Sequence, residues 1–235
     1  MSDDVPSAIQ AVLRSGRTIF MGVELLVGPD TLVPRSETEL LGAAAIAALR
    51  ERQGAASGDG PRAIDMCCGS GNLACAIASL VPEARVWASD LTSGCVETAR
   101  RNVEHLGLAA RVRVEQGDLF APLAGLGLEE TVDVVVCNPP YISSGRLAKD
   151  RATLLEHEPR EAFDGGPYGL TIHQRVLKEA TPFLKPGGCL LFEVGDGQAR
   201  QVLLLFERAR VYESVRSLED PSGHARVIAG TLKGK

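Results

Sequence analysis

The sequence predicts an α/β fold: a doubly wound, mostly parallel sheet with helices on both faces, a short N-terminal extension and a C-terminal antiparallel hairpin. Three observations predict it. From Arg62 onward, short apolar runs alternate with stretches of helical length, the pattern of strands joined by helical crossovers. Val132-Asp133-Val134-Val135-Val136-Cys137 is a nearly unbroken apolar run, as expected of a strand buried on both faces. The last two β-like runs, joined by Asp220-Pro221-Ser222-Gly223, read as an antiparallel pair.

In chain order, Pro6 to Arg17 reads as a short amphipathic helix with Ala8, Ile9, Val12 and Leu13 near one face. Phe20 to Val27 is a strand or hairpin arm closed by Gly28-Pro29-Asp30. Ser36 to Arg50 is a helix, with Ser36 and Glu39 in a capping-box spacing. Gln53 to Pro61 is a Gly/Ala/Ser linker, which divides the chain into a lead-in segment (1–52) and a main domain (53–235). Strands are expected at 63–67, 84–89, 110–116, 131–137, 189–194, 211–218 and 224–232. Helices are expected at 72–80, 93–106, 171–184 and 198–209, with Gly107 capping one and Lys185-Pro186-Gly187-Gly188 stopping another.

The composition is that of a soluble globular protein: 235 residues, 45% hydrophobic and 23% charged. The net charge of −5 does not suit generic attachment to a phosphate backbone. Six cysteines lie mostly in apolar runs without Cys-x-x-Cys or zinc spacing, implying a reduced, cytoplasmic protein with no structural metal. No run is long enough to span a membrane.

The most informative stretch is Asn138-Pro139-Pro140-Tyr141, directly after the valine strand. The prolines lack N–H groups and end the ladder, so the Asn138 amide is held at the carboxyl end of a central strand, where open α/β sheets bind ligands. A side-chain amide offers an acceptor and two donors in one plane. With a neighbouring proline carbonyl it can grip a planar –NH2 group by both hydrogens, and Tyr141 can stack over that group. The alternative is a Pro-rich turn with a capping Asn.

Three other strand ends carry carboxylates. Asp65-Met66-Cys67-Cys68-Gly69-Ser70-Gly71-Asn72 is a strand-to-helix turn whose glycines let a ligand approach the backbone. The full Gly-x-Gly-x-x-Gly of a dinucleotide site is absent, and Cys67 stands where its first glycine is usual. Asp90, 25 positions after Asp65 and followed by Leu91, can accept from both ribose hydroxyls. Asp118 can accept an adenine amine, with Leu119 and Phe120 against the ring. Each has an ordinary reading as a turn residue. Together they describe a site for an adenosine bearing a sulfonium, S-adenosylmethionine. Arg35 either reaches the cofactor carboxylate or is a surface arginine. Glu193 either lines the pocket floor or is a solvated strand end. Glu156, His157 and Glu158 read as a solvated loop, and His105 and His173 as surface or helix-dipole residues.

With these residues in place, the chain resembles the HemK-type release-factor glutamine methyltransferases, which are class I S-adenosylmethionine-dependent enzymes with a Rossmann-like sheet. The resemblance is carried by Gly28 to Glu39, by Asp65 to Gly71, by Asn138 to Tyr141, by Glu158-Pro159 with Phe163-Asp164-Gly165-Gly166 and Gly169-Leu170, and by Asp220 to Arg226. It spans residues 20 to 232. It implies N-methylation of a glutamine side-chain amide in a protein, with Asn138, Pro139, Pro140 and Tyr141 at the reaction centre. Bacterial release-factor enzymes also carry a helical N-terminal domain, and only the residues before 20 precede the matching block here. Either recognition uses a reduced surface or the acceptor differs: a small molecule or peptide, or, against the acidic charge, a nucleic-acid base amine. An inactive cofactor-binding subunit is the non-enzymatic reading, disfavoured by the intact Asn138 to Tyr141. The oligomeric state is not legible.

Overall fold

The computed structural model describes residues 4–28, 31–53, 60–150 and 163–234. Helix α1 (Asp4–Ser15) leads into a hairpin of β1 (Arg17–Phe20) and β2 (Val23–Leu26), then helix α2 (Thr38–Gln53). The alternating body follows as β3 (Arg62–Met66), α3 (Asn72–Leu80), β4 (Arg85–Asp90), α4 (Ser93–His105) and β5 (Val112–Gln116). It continues with β6 (Val132–Cys137), α5 (Ser144–Asp150), α6 (Thr171–Glu179), β7 (Leu184–Glu193), α7 (Ala199–Ala209), β8 (Tyr212–Glu219) and β9 (Ala225–Leu232). The expected linker at 54–59 and the turn residues Pro29 and Asp30 lie outside the described residues.

The seven strands of the main sheet run in the order β5-β4-β3-β6-β7-β9-β8. All neighbours are parallel except β9, which is antiparallel to both β7 and β8. Strand order reverses between β3 and β6, whose ends lie side by side: Asp65 pairs with Val136 and Met66 with Cys137. That is the switch point at which an open α/β sheet leaves a crevice.

Successive β6 side chains enter opposite cores, which is why the run has no polar alternation. Val134 and Val136 join Leu41, Ile77 and Val96 on one face. Val135 and Cys137 join Val176, Phe192 and Phe206 on the other. Asp133 interrupts the run at 6% exposure because it is fully used. Its Oδ2 accepts from the Arg62 amide at 2.8 Å and its Oδ1 from Lys185 Nζ at 2.9 Å.

Four expectations need correction. Of the two readings of Phe20 to Val27, the hairpin arm holds and the single strand does not, because the stretch includes the turn before that arm. Met21 and Gly22 both have positive φ (49° and 79°), the type I′ geometry that matches strand twist. The capping box does not form: Glu39 Oε1 accepts instead from the Met21 amide at 3.0 Å, tying α2 to that turn. Helix α6 stops at Glu179 rather than 184, and β7 begins at Leu184 rather than 189. The Pro186-Gly187 segment is accommodated by a bulge, since pairing moves from Val132–Leu184 to Val134–Cys189. Helix α5 was not anticipated.

Phe20, Val23 and Leu25 of the hairpin share one core with Leu41, Leu73 and Val96. Asn102 makes a buried polar join between the hairpin and the turn after β3. Asn102, fully buried on α4, accepts from the Leu26 amide at 2.7 Å. It donates to the carbonyls of Leu26 at 3.0 Å and Ser70 at 2.9 Å. The hairpin and the turn after β3 are thereby held to the same helix. Asn102→Leu leaves these backbone groups buried without partners, so urea unfolding is expected to show a loss of at least about 2 kcal/mol. An unchanged midpoint would show that Asn102 is not the join.

Candidate active site

A cavity opens over the carboxyl ends of β3, β4 and β6. Of the sequence-predicted residues, Arg35, Cys67, Gly69, Asn72, Asp90, Leu91, Asp118, Leu119, Asn138 and Pro140 all line it. The turn after β3 is held from behind by Asp90, whose Oδ2 accepts from the Gly69 amide at 2.9 Å and whose Oδ1 accepts from the Thr92 amide at 3.1 Å. Cys67 has φ 58°, the left-handed region in which glycine is ordinarily preferred. Leu91 is 62% exposed, an apolar face left open at the cavity. Asp118 Oδ1 is paired with Arg175 Nη1 at 2.9 Å, so a ligand amine there would share this carboxylate with a guanidinium.

Three expected cofactor residues are placed elsewhere. Gly71 does not line the cavity; a Cβ on it would lie 3.0 Å from that of Ala99, so its role is the close packing of α3 on α4. Phe120 stacks on Phe183 with ring centroids 5.0 Å apart in the core. Asp65 is fully buried beneath the turn. Its Oδ2 accepts from the Ala74 amide at 2.9 Å, near the start of α3, and its Oδ1 has no hydrogen-bond partner among the described residues. Burial pushes the Asp65 carboxyl up to about 7, the Ala74 bond opposing and the charge of Asp90 adding.

A second, wider groove continues from the cavity and shares Leu32, Pro34, Arg35 and Asn138 with it. Pro139 and Tyr141 line this groove rather than the cavity. Asn138 therefore lies on the boundary between the two spaces. Its Nδ2 donates to Thr38 Oγ1 at 3.2 Å.

The segment from Phe163 braces this turn through the backbone. The Ile142 amide donates to the Phe163 carbonyl at 2.9 Å and the Gly165 amide to the Ile142 carbonyl at 2.8 Å. A Cβ on Gly165 would lie 2.6 Å from the Pro140 oxygen, and one on Gly169 2.2 Å from that of Tyr141. Gln198 completes the brace, donating from Nε2 to the Tyr141 carbonyl at 2.8 Å.

Glu193 lies in the same groove, 4% exposed. Burial pushes it up to about 7 against its bonds to Thr38 and Tyr141, and Tyr141 is itself raised, mainly by burial. His173 is not a surface residue. It is fully buried, with Nε2 3.1 Å from the Glu193 carbonyl and its ring against Phe192, and burial pushes it down to about 4. His105 is at the end of α4, 3.3 Å from Glu24. Glu156, His157, Glu158 and Pro159 lie outside the described residues. Among the described residues, no group of His, Cys, Asp and Glu could hold a metal, and no helix is long and apolar enough to cross a membrane. No local pattern marks Thr38 or Gln198 for a role in the site, and Glu193 is readable either as pocket floor or as a solvated strand end. Their only signal was position: a helix start, a helix start and a strand end.

This geometry agrees with comparisons to known proteins. Residues 57–228 match a family model described as a methyltransferase domain. The chain is 36% identical over 217 residues to a release factor glutamine methyltransferase of Geobacter sulfurreducens, covering 92% of this chain and 71% of that protein. It is 37% identical over 212 residues to one from Moorella thermoacetica, covering 90% and 71%. The chain belongs to the release factor glutamine methyltransferase family. Members are class I enzymes that use S-adenosylmethionine. A methyltransferase from Pyrococcus furiosus shares the fold with a TM-score of 0.63 at 20% identity, covering 97% of this chain and 98% of that one.

Placing a carboxyl under the turn of a glutamine methyltransferase has a consequence for stability. The Asp65 carboxyl is raised from 3.8 to about 7, so its ionisation opposes folding increasingly as pH rises through that window. His173, held down from 6.5 to about 4, acts oppositely between those values, so the informative quantity is a difference. The unfolding free energy of Asp65→Asn minus that of the wild type should grow from pH 4 to pH 7 and then level off. A difference independent of pH would remove Asp65 as the source.

Proposed function

We propose that this chain transfers a methyl group from S-adenosylmethionine to the side-chain amide nitrogen of a glutamine in a peptide chain release factor. The observation that carries the reading is the place of Asn138. It is shared by the cavity and the groove, and its –NH2 donates to Thr38, so the amide's acceptor is its Oδ1.

The cavity suits the cofactor. Gly69 has φ 54° with open space where a Cβ would be, Leu91 and Leu119 supply apolar wall, and Asp90 and Asp118 supply acceptors. S-adenosylmethionine, when bound, provides a methyl group on a sulfonium. The chain's own residues then have a positioning task. An amide nitrogen is a poor nucleophile because its lone pair is delocalised. Asn138 Oδ1 and the Pro139 carbonyl accept the two amide hydrogens and hold the nitrogen toward the cavity. Orientation of this kind lowers barriers by up to ~7–11 kcal/mol in well-aligned cases. Tyr141 packs beside the plane of the amide. No strong base is needed, because the proton leaves after the methyl group has arrived. The wider groove takes the surrounding polypeptide. The protein acceptor is favoured over a small molecule because the groove is open and extends along Ile142, Ser143, Arg146 and Gln201.

The test offers labelled cofactor to purified release factor, a small-molecule extract and RNA in parallel. Label is expected in the release factor alone, and is expected to vanish when its target glutamine is replaced. Asn138→Ala should leave the cofactor dissociation constant within about threefold and lower kcat by at least about 100-fold. Wild-type turnover in that variant would remove Asn138 from the mechanism.

A further inference from the structure

Behind Asn138, elements far apart in sequence converge on one carboxylate. Glu193 ends β7, Thr38 opens α2 and Tyr141 follows β6. Thr38 is 1% exposed and Glu193 4%, so little of either residue meets bulk water. Asn138 Nδ2 donates to Thr38 Oγ1 at 3.2 Å. The Thr38 hydroxyl also lies beside the Glu193 carboxylate and favours its charged form. Glu193 Oε1 accepts from the Tyr141 hydroxyl at 3.5 Å, and its Oε2 has no hydrogen-bond partner among the described residues.

A hydroxyl has one hydrogen to donate. When Thr38 directs it at an ionised carboxylate, only its lone pairs remain for Asn138. Asn138 must then present its –NH2 to Thr38 and its carbonyl to the groove. Turned over by 180°, the same amide would offer donors where the acceptor nitrogen also has donors, and the grip would be lost. We propose that Glu193, acting through Thr38, is the positioning residue that holds the Asn138 amide with Oδ1 toward the methyl-acceptor nitrogen. The inference rests on the reaction proposed above and adds a residue whose charge sets the direction of the hydrogen-bond chain.

Because that chain is polarised by charge, it depends on pH. Glu193 is faced by Glu37 before α2, which raises it, and by Arg226 on β9, which lowers it. Tyr141 also bonds it, and His173 of α6 meets only its backbone carbonyl and is held neutral above about 4. Burial outweighs the bonds from Thr38 and Tyr141 and brings the carboxyl up to about 7. Below that value a protonated Glu193 can donate to Thr38. The Thr38 hydrogen is then released toward Asn138, and the amide loses its preferred orientation. The ionised form is the competent one, so kcat should fall as pH drops through about 7.

The deciding experiment follows the Asn138 side-chain –NH2 resonances of the 15N-labelled full chain across pH, beside methyl transfer to release factor. In the wild type both resonances should titrate with a midpoint near 7, matching the acid limb of kcat. In Glu193→Gln and Thr38→Val that midpoint should be absent. Each variant should lose about 10- to 100-fold in kcat, with cofactor affinity and acceptor KM within about threefold. Thr38→Ser, which restores the hydroxyl, should retain both the midpoint and activity. The double variant should be no slower than either single one, since both break the same chain. A midpoint that persists in Glu193→Gln, or losses that multiply in the double variant, would overturn the proposal. The titration needs no acceptor. An intact midpoint without methyl transfer to release factor would overturn the acceptor and leave the positioning role standing.

Discussion

Everything at the site depends on where one strand stops. β6 is buried on both faces at the centre of the sheet, and Pro139 and Pro140 end it where the strand order reverses. A strand so enclosed cannot slide, because a shift of one residue would exchange its two packed faces. Asn138 inherits that immobility. Its amide is placed at the mouth of the crevice by a strand that has only one register available.

The surrounding elements make the stop usable. Glycines at 165 and 169 bring a distant segment against the backbone of the Pro-Pro turn, closer than any Cβ would allow. Gln198 ties the Tyr141 carbonyl to the start of α7. On the opposite side, Asn102 joins the N-terminal hairpin to the turn after β3, while Asp90 holds that turn through Gly69. Cavity and groove are thus two sides of one braced loop cluster, and a residue on their boundary can meet ligands from both.

Two buried carboxyls near the site behave differently for reasons of partnership. Asp65 and Glu193 are both pushed up to about 7 by burial, and each keeps one oxygen without a hydrogen-bond partner among the described residues. Asp65 is bonded to a backbone amide and holds the start of α3. Glu193 accepts from the Tyr141 hydroxyl and lies beside the Thr38 hydroxyl, which touches Asn138, so its ionisation can be transmitted into the site. Similar burial has a structural consequence in one case and a directional one in the other.

The sequence by itself determined the alternating α/β architecture, the strand ends and the Asn-Pro-Pro-Tyr turn. These are local properties: hydrophobic runs, chain-breaking prolines and glycine turns act over a few residues. It also determined which carboxylate-bearing turns gather near the crevice, because strand ends of a parallel sheet emerge on one side. Only the tertiary structure decided the rest. It turned Asp65 and Phe120 inward, gave Gly71 to helix packing, and redirected Glu39 from its capping box to Met21 of the hairpin. It buried His173, which as a lone helical residue carried no sign of its surroundings. It joined Thr38, Asn138, Tyr141 and Glu193, which span 155 positions (193 − 38) of chain. Hydrogen bonds between such distant residues follow from how sheets and helices pack, and no local pattern encodes that packing.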